Sequence, residues 1–200
     1  FTAPNYDILV DCPLEIGTFR ERSFRARGIP HRLVIHGRGN YDEDRLVRDI
    51  RRIVSTEVSI FRHIPYRHYT FILHHAPDRG GGLEHLNSTS LQYPPTGYRP
   101  REKYDNFLEL VAHEFWHLWN VKRIRPAAFV PYDLTRENHT RLLWAFEGFT
   151  SYYDDLLLAR AGLLTEAQYL DTLAGTMTTV MQRSGRLKQS LADSSFDAWI

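Results

Sequence analysis

The sequence predicts an α+β domain: a small mixed sheet with an edge strand at a cleft, followed by a mainly helical half. Two observations carry this. Short β-branched and aromatic runs, punctuated by Gly, Pro and Asn, cluster in residues 1–100. Long apolar runs with helical spacing dominate residues 101–200. Strands first and helices later is the order of an α+β layer architecture rather than of alternating βαβ units.

In chain order, residues 6–10 and 31–36 read as short strands, separated by the turn-prone Gly28-Ile29-Pro30. Asp42 can cap a helix whose apolar stripe is Leu46, Ile50, Ile53, Val54 and Phe61. Residues 69–74 read as a buried strand. The glycines Gly80, Gly81 and Gly82 form a loop, and an edge strand spans 83–92. Pro94, Pro95, Gly97 and Pro100 lead into a helix that is apolar around most of its girth, with Phe107, Leu108, Leu110, Val111, Phe115 and Leu118. Pro126 and Pro131 bracket the connection to a second apolar helix, 137–161, and Thr165 begins a third that runs to about residue 183.

Length and composition bound what such a domain does. With 200 residues the chain forms one sizeable domain. Its formal net charge of +1, with acids and bases mixed throughout, excludes the strong basic face of a nucleic-acid binder. The single cysteine, Cys12, excludes an internal disulfide, fits no cysteine-based metal pattern and reads as a buried or inert thiol. No apolar run reaches membrane-span length and no signal peptide opens the chain. The expectation is a soluble protein of a bacterial cytoplasm or periplasm. The chain starts at Phe1 and ends on Ala198-Trp199-Ile200, which reads as a piece of a longer protein.

Residues His113-Glu114-Phe115-Trp116-His117 form an HExxH motif inside the apolar helical run. Histidines four apart lie one turn above each other, so both imidazoles reach one metal ion, Zn2+ in this pattern. Glu114 projects beside that ion as a general base, and zinc brings the pKa of its water to about 7. The plain alternative is a structural helix with two hydrogen-bonded histidines. Burial weighs against it, because unpaired polar groups in a core cost several kcal/mol and a metal would partner them. A catalytic zinc also needs a third protein ligand and an open position. Glu147, separated from His117 by 29 residues and set among the apolar Leu143, Trp144 and Phe146, is the candidate. Its alternative is a buried glutamate paired with Arg123 or Arg141. Ser151, Asp154 and Asp155 are candidates for hydrogen-bonding the ligands from behind. Lys122, Arg123 and Arg125 either face the cleft or form a structural charge cluster.

The run from His113 to Pro126 (HEFWHLWNVKRIRP) resembles the signature of the glycyl aminopeptidase family, zinc metallopeptidases that often carry a PDZ domain. So does the run from Glu147 to Leu156 (EGFTSYYDDL), and LVDCPLEIG from Leu9 resembles the start of that family's catalytic region. The resemblance spans nearly the whole chain. It implies a thermolysin-like (gluzincin) catalytic domain, with metal ligands His113, His117 and Glu147 and catalytic Glu114. It also implies a preference for a first residue of glycine or alanine, a β-rich domain before Phe1 and a PDZ domain after Ile200. Gly80-Gly81-Gly82-Leu83-Glu84-His85 resembles the G-x-M-E-N motif of related zinc aminopeptidases, departing at Leu83 and His85. That likeness makes Glu84, with Gly81 and Gly82, the substrate-binding set. A carboxylate suits a free ammonium, and glycines let backbone approach a peptide. The alternative is a surface loop with an incidental glutamate.

The expected partner is therefore a peptide with a free N-terminus, cleaved at its first bond. A zinc endopeptidase and a catalytically weak, metal-stabilised peptide-binding scaffold are the rival readings. The related enzymes take their oxyanion donor from a downstream tyrosine, which places it beyond Ile200 and makes this stretch a poor catalyst by itself.

Overall fold

The structure, a computed structural model, describes residues 2–61 and 63–199. Its five strands are β1 (Arg20–Ala26), β2 (Ile29–His36), β3 (Tyr69–His75), β4 (Gly81–Glu84) and β5 (Ser88–Tyr93), ordered β1-β2-β3-β5-β4 in one sheet. The outer pairs are antiparallel and the inner pairs, β2–β3 and β3–β5, parallel. Among the described residues six α-helices accompany it: α1 (Tyr6–Asp11), α2 (Glu43–Glu57), α3 (Arg101–Trp116), α4 (Leu143–Arg160), α5 (Glu166–Gln182) and α6 (Leu191–Asp197).

Alternation along the strands explains the core. Leu33 and Ile35 of β2, Phe71 and Leu73 of β3 and Leu91 of β5 point to one face and pack with Leu46, Ile50 and Ile53 of α2 and Phe107, Val111 and Phe115 of α3. Each such side chain contributes roughly 1.5–3 kcal/mol through burial. On the opposite face Val34 and Ile72, with Arg32 and Thr70, look toward α1 across a cavity of about 550 Å³.

Several expectations change here. Residues 6–10 are helical, not extended. Asn5 accepts a hydrogen bond from the Ile8 N–H at 2.9 Å, and none of α1's residues is buried, so no sheet face claims them. Strand β1 escapes a pattern search because its sequence, RERSFRA, is charged, as suits an edge strand. The single strand expected over 83–92 is a hairpin. Its turn is fixed where the Asp11 carboxylate accepts the Leu86 N–H at 2.8 Å, which leaves β4 alone at the edge and β5 inside. Phe61 lies beyond the end of α2 and stacks on Trp119 at 4.1 Å. Helix α4 starts at Leu143 because Asn138 is committed to a turn with Asp133 and the Thr140 hydroxyl accepts the Leu142 N–H. Asp42 and Thr165 cap their helices as expected, Thr165 through a reciprocal capping box with Gln168. The Cys12 thiol is exposed rather than buried.

Candidate active site

Helix α3 delivers the motif in its last turn, with His117 as the C-terminal capping residue. The Nε2 atoms of His113 and His117 lie 3.1 Å apart. From α4, the Glu147 carboxylate reaches both, 3.2 Å from His113 Nε2 and 3.8 Å from His117 Nε2. The other ring nitrogens are taken. His113 Nδ1 meets the Asp154 carboxylate at 2.9 Å, and His117 Nδ1 meets the Asn120 carbonyl at 2.7 Å. Asn120 in turn donates its amide to Ala145 O, Phe146 O and Thr150 Oγ1, each at 3.2 Å, pinning the turn after α3 onto α4.

These bonds settle which chemistry the cradle suits. A carbonyl and a carboxylate only accept, so both Nδ1 atoms donate, and in the neutral rings each Nε2 presents a lone pair. Two lone pairs and a carboxylate converging within 3.8 Å repel one another unless a cation joins them. Two imidazoles and one carboxylate are a donor set of catalytic zinc. The residues fit the ion the motif implies. A proton competes for the same place. Burial opposes a charged His113, but its bonds to Asp154 and Glu147 outweigh burial and hold the metal-free imidazole up at about 10. The same His113 bond, ahead of opposing burial, pulls the Glu147 carboxyl below its ordinary value.

Glu114 is buried, and its Oε2 has no hydrogen-bond partner among the described residues. Burial, reinforced by Glu84 and Glu147 and opposed by His113, lifts its carboxyl to about 8. Glu84, at the end of β4, completes the cluster. Oxygens of Glu84 and Glu114 and a ring nitrogen of His117 lie within 4.8 Å of one another.

Not every expectation about the surroundings holds. Glu147 is half exposed on an open face of α4 beside exposed Trp144 and Phe149, so its apolar neighbours do not bury it. Neither arginine pairs with it. Arg123 donates to the carbonyls of Leu118, Pro65 and Leu86, and Arg141 pairs with Asp193. Of the three residues considered behind the ligands, Asp154 touches His113, whereas Ser151 is exposed and Asp155 lies beside Glu109. Lys122 binds Asp11 at 2.5 Å, and the Asp11 carboxylate also faces His85 Nδ1 at 3.8 Å. Burial opposes that charge, but bonds from His85, Lys122 and the Leu86 N–H hold Asp11 down at about 2. Sequence reasoning missed both Asn120 and Asp11. Asn120 lay inside the recognised tract without an assigned role, and no local signal marked Asp11.

Residues 106–200 match the M61 glycyl aminopeptidase family. A crystal structure of an aminopeptidase N family protein from Idiomarina loihiensis superposes with a TM-score of 0.93 at 41% identity, over 98% of this chain. The matched stretch, 106–200, belongs to the M61 glycyl aminopeptidase family. The chain spans 35% of the length of the Idiomarina protein. A two-domain M1 zinc metallopeptidase bound to L-tryptophan shares the fold at a TM-score of 0.51 and 17% identity, over 84% of this chain and 34% of its own. No curated protein matches the chain. The fold is the thermolysin-like α+β architecture expected from the sequence.

Proposed function

We propose that this chain is the zinc-binding catalytic part of an aminopeptidase that removes a small first residue, glycine or alanine, from peptides. The observation that carries this is the placement of Glu84: its carboxylate lies within 4.8 Å of both Glu114 and His117 ligand atoms. An ammonium held by Glu84 then leaves room for one residue before the scissile bond. The family, the zinc metallopeptidase fold and the His-His-Glu cradle support the same reading.

In this proposal His113, His117 and Glu147 hold the ion, and Asp154 and Asn120 fix the two rings. Bound zinc would supply Lewis acidity toward water and the scissile carbonyl. Glu114 takes the proton from the attacking water and returns it to the leaving amine. Its buried, unpartnered oxygen suits it to carry that proton. The edge strand positions the peptide. Because the His85 N–H pairs with Ser88 O, alternation turns the N–H and C=O groups of Gly82 and Glu84 away from β5, toward an incoming strand.

The test is hydrolysis of glycyl- and alanyl-linked reporter peptides by the zinc-loaded full-length parent. Free N-termini are expected to react about 100-fold faster than N-acetylated ones, with the Glu84→Gln variant losing most of that preference through KM. Equal cleavage of acetylated peptides would sink the aminopeptidase reading in favour of an endopeptidase.

A further inference from the structure

The adjacent glycines of β4 are glycines for different reasons. Gly81 has a φ of +126°, a backbone conformation that side chains strain, and a Cβ there would meet nothing within 4 Å. Gly82 has no such backbone demand. Instead, a Cβ at Gly82 would lie 2.4 Å from both Cγ and Cδ of Glu114 and 2.5 Å from its Oε1. Carbon atoms in contact sit about 3.5–4.0 Å apart, so these distances are overlaps.

Strand alternation makes the arrangement specific. Residues 82 and 84 share one face of β4, and that face looks onto α3. Leu83, on the other face, is exposed. At position 84 the face carries the Glu84 carboxylate; at position 82 it must carry nothing, because Glu114 occupies that volume. The overlap includes Glu114 Cγ as well as the carboxylate, so turning the carboxylate alone would not clear a Cβ. The Glu114 side chain that would have to swing aside is buried.

We infer that Gly82 is a positioning residue: its missing side chain is the slot that seats the Glu114 carboxylate beside the Glu84 anchor. The slot fixes the spacing between the group that holds the substrate amine and the group that moves the proton. The catalytic consequence rests on the function proposed above; the packing does not.

A double-mutant cycle on stability tests the packing without any activity assay. Gly→Ala at a compatible backbone ordinarily stabilises by about 0.4–1 kcal/mol, through the unfolded chain. Gly82→Ala is therefore expected to lower the melting temperature in the wild type but to leave it unchanged or raise it in a Glu114→Ala background, where the conflicting side chain is gone. A Gly82→Ala protein that fails to fold while Gly82→Ala/Glu114→Ala folds supports the inference equally. The same effect in both backgrounds, or failure to fold in both, overturns it. Leu83→Ala should behave alike in the two backgrounds.

A second reading uses the zinc-loaded full-length parent. Gly82→Ala should retain zinc stoichiometry and KM within about threefold while kcat falls about 100-fold, the size of effect that a misplacement of about 1 Å produces. Wild-type kcat in this variant overturns the positioning role. A fully active Glu114→Gln variant would instead overturn the proposed function, leaving the stability cycle to judge the slot.

Discussion

The two halves of this molecule bury different things. Between the sheet and α2 the buried layer is mainly apolar, with Leu33, Ile35, Phe71 and Leu73 against Leu46, Ile50 and Ile53, although Glu57 of α2 and the Tyr69 hydroxyl are buried there without partners among the described residues. Where α3 meets α4, the buried set includes Glu114, His117, Thr150 and Asp154, and two of its polar atoms, Glu114 Oε2 and Trp116 Nε1, have no partner among the described residues. Apolar burial stabilises, while unpaired buried polar atoms cost about 1–3 kcal/mol each. The larger apolar layer of the first half thus supplies the rigidity against which the second holds its reactive arrangement.

That contrast is open to attack, most severely at Phe71. It is fully buried, so Phe71→Ala should cost about 3–5 kcal/mol in urea denaturation while the folded fraction binds zinc normally. A loss below about 1 kcal/mol would mean that the sheet half is not the rigid one.

The sheet half also holds one polar group whose burial can be read by pH. Burial, against a hydrogen bond to Ile29 O, lowers His31 from 6.5 to about 4. Between those values the unfolded chain takes up a proton that the folded chain refuses. Stability from His31 is therefore complete above pH 6.5 and is lost as pH falls toward 4, by up to roughly 3 kcal/mol. Denaturation at pH 7 and pH 4.5 should show a larger loss in the wild type than in a His31→Phe variant, the difference being the His31 contribution; equal losses would contradict it.

On the polar side, Asp154→Asn keeps the packing but removes the charge that orients His113. Zinc affinity by calorimetry should fall about 10–100-fold, with folding little affected. A comparable drop in stability instead would assign Asp154 to the scaffold. The smallest expected effect lies at Thr165. Removing its capping box with Thr165→Ala should cost about 1 kcal/mol. Because α5 buries no residue, the loss should show as faster amide exchange in its first turn and leave the melting temperature nearly unchanged.

What the sequence revealed follows the same division. The apolar periodicity of α2, α3 and β3 was strong enough to locate them, and Asp42 and Thr165 marked helix starts through local chemistry. Strand β1 and helix α1 were not legible, since a charged edge strand lacks alternation and α1 depends on an Asn5 cap rather than a buried stripe. At the candidate site, His113, Glu114 and His117 announce themselves by spacing within one helix, while Glu84 and Glu147 came through resemblance and a buried-looking context. The structure brings all five together. Asp11 and the slot over Gly82 depend on contacts between distant segments, which no local pattern encodes.

The central claim is that α3 and α4 together build one zinc cradle. Calorimetric titration of zinc into the wild type and into the His113→Ala and Glu147→Ala variants tests it most directly. One ion per chain is expected in the wild type, with affinity lost at least about 100-fold in either variant. Undiminished binding of one zinc by both variants would contradict the account.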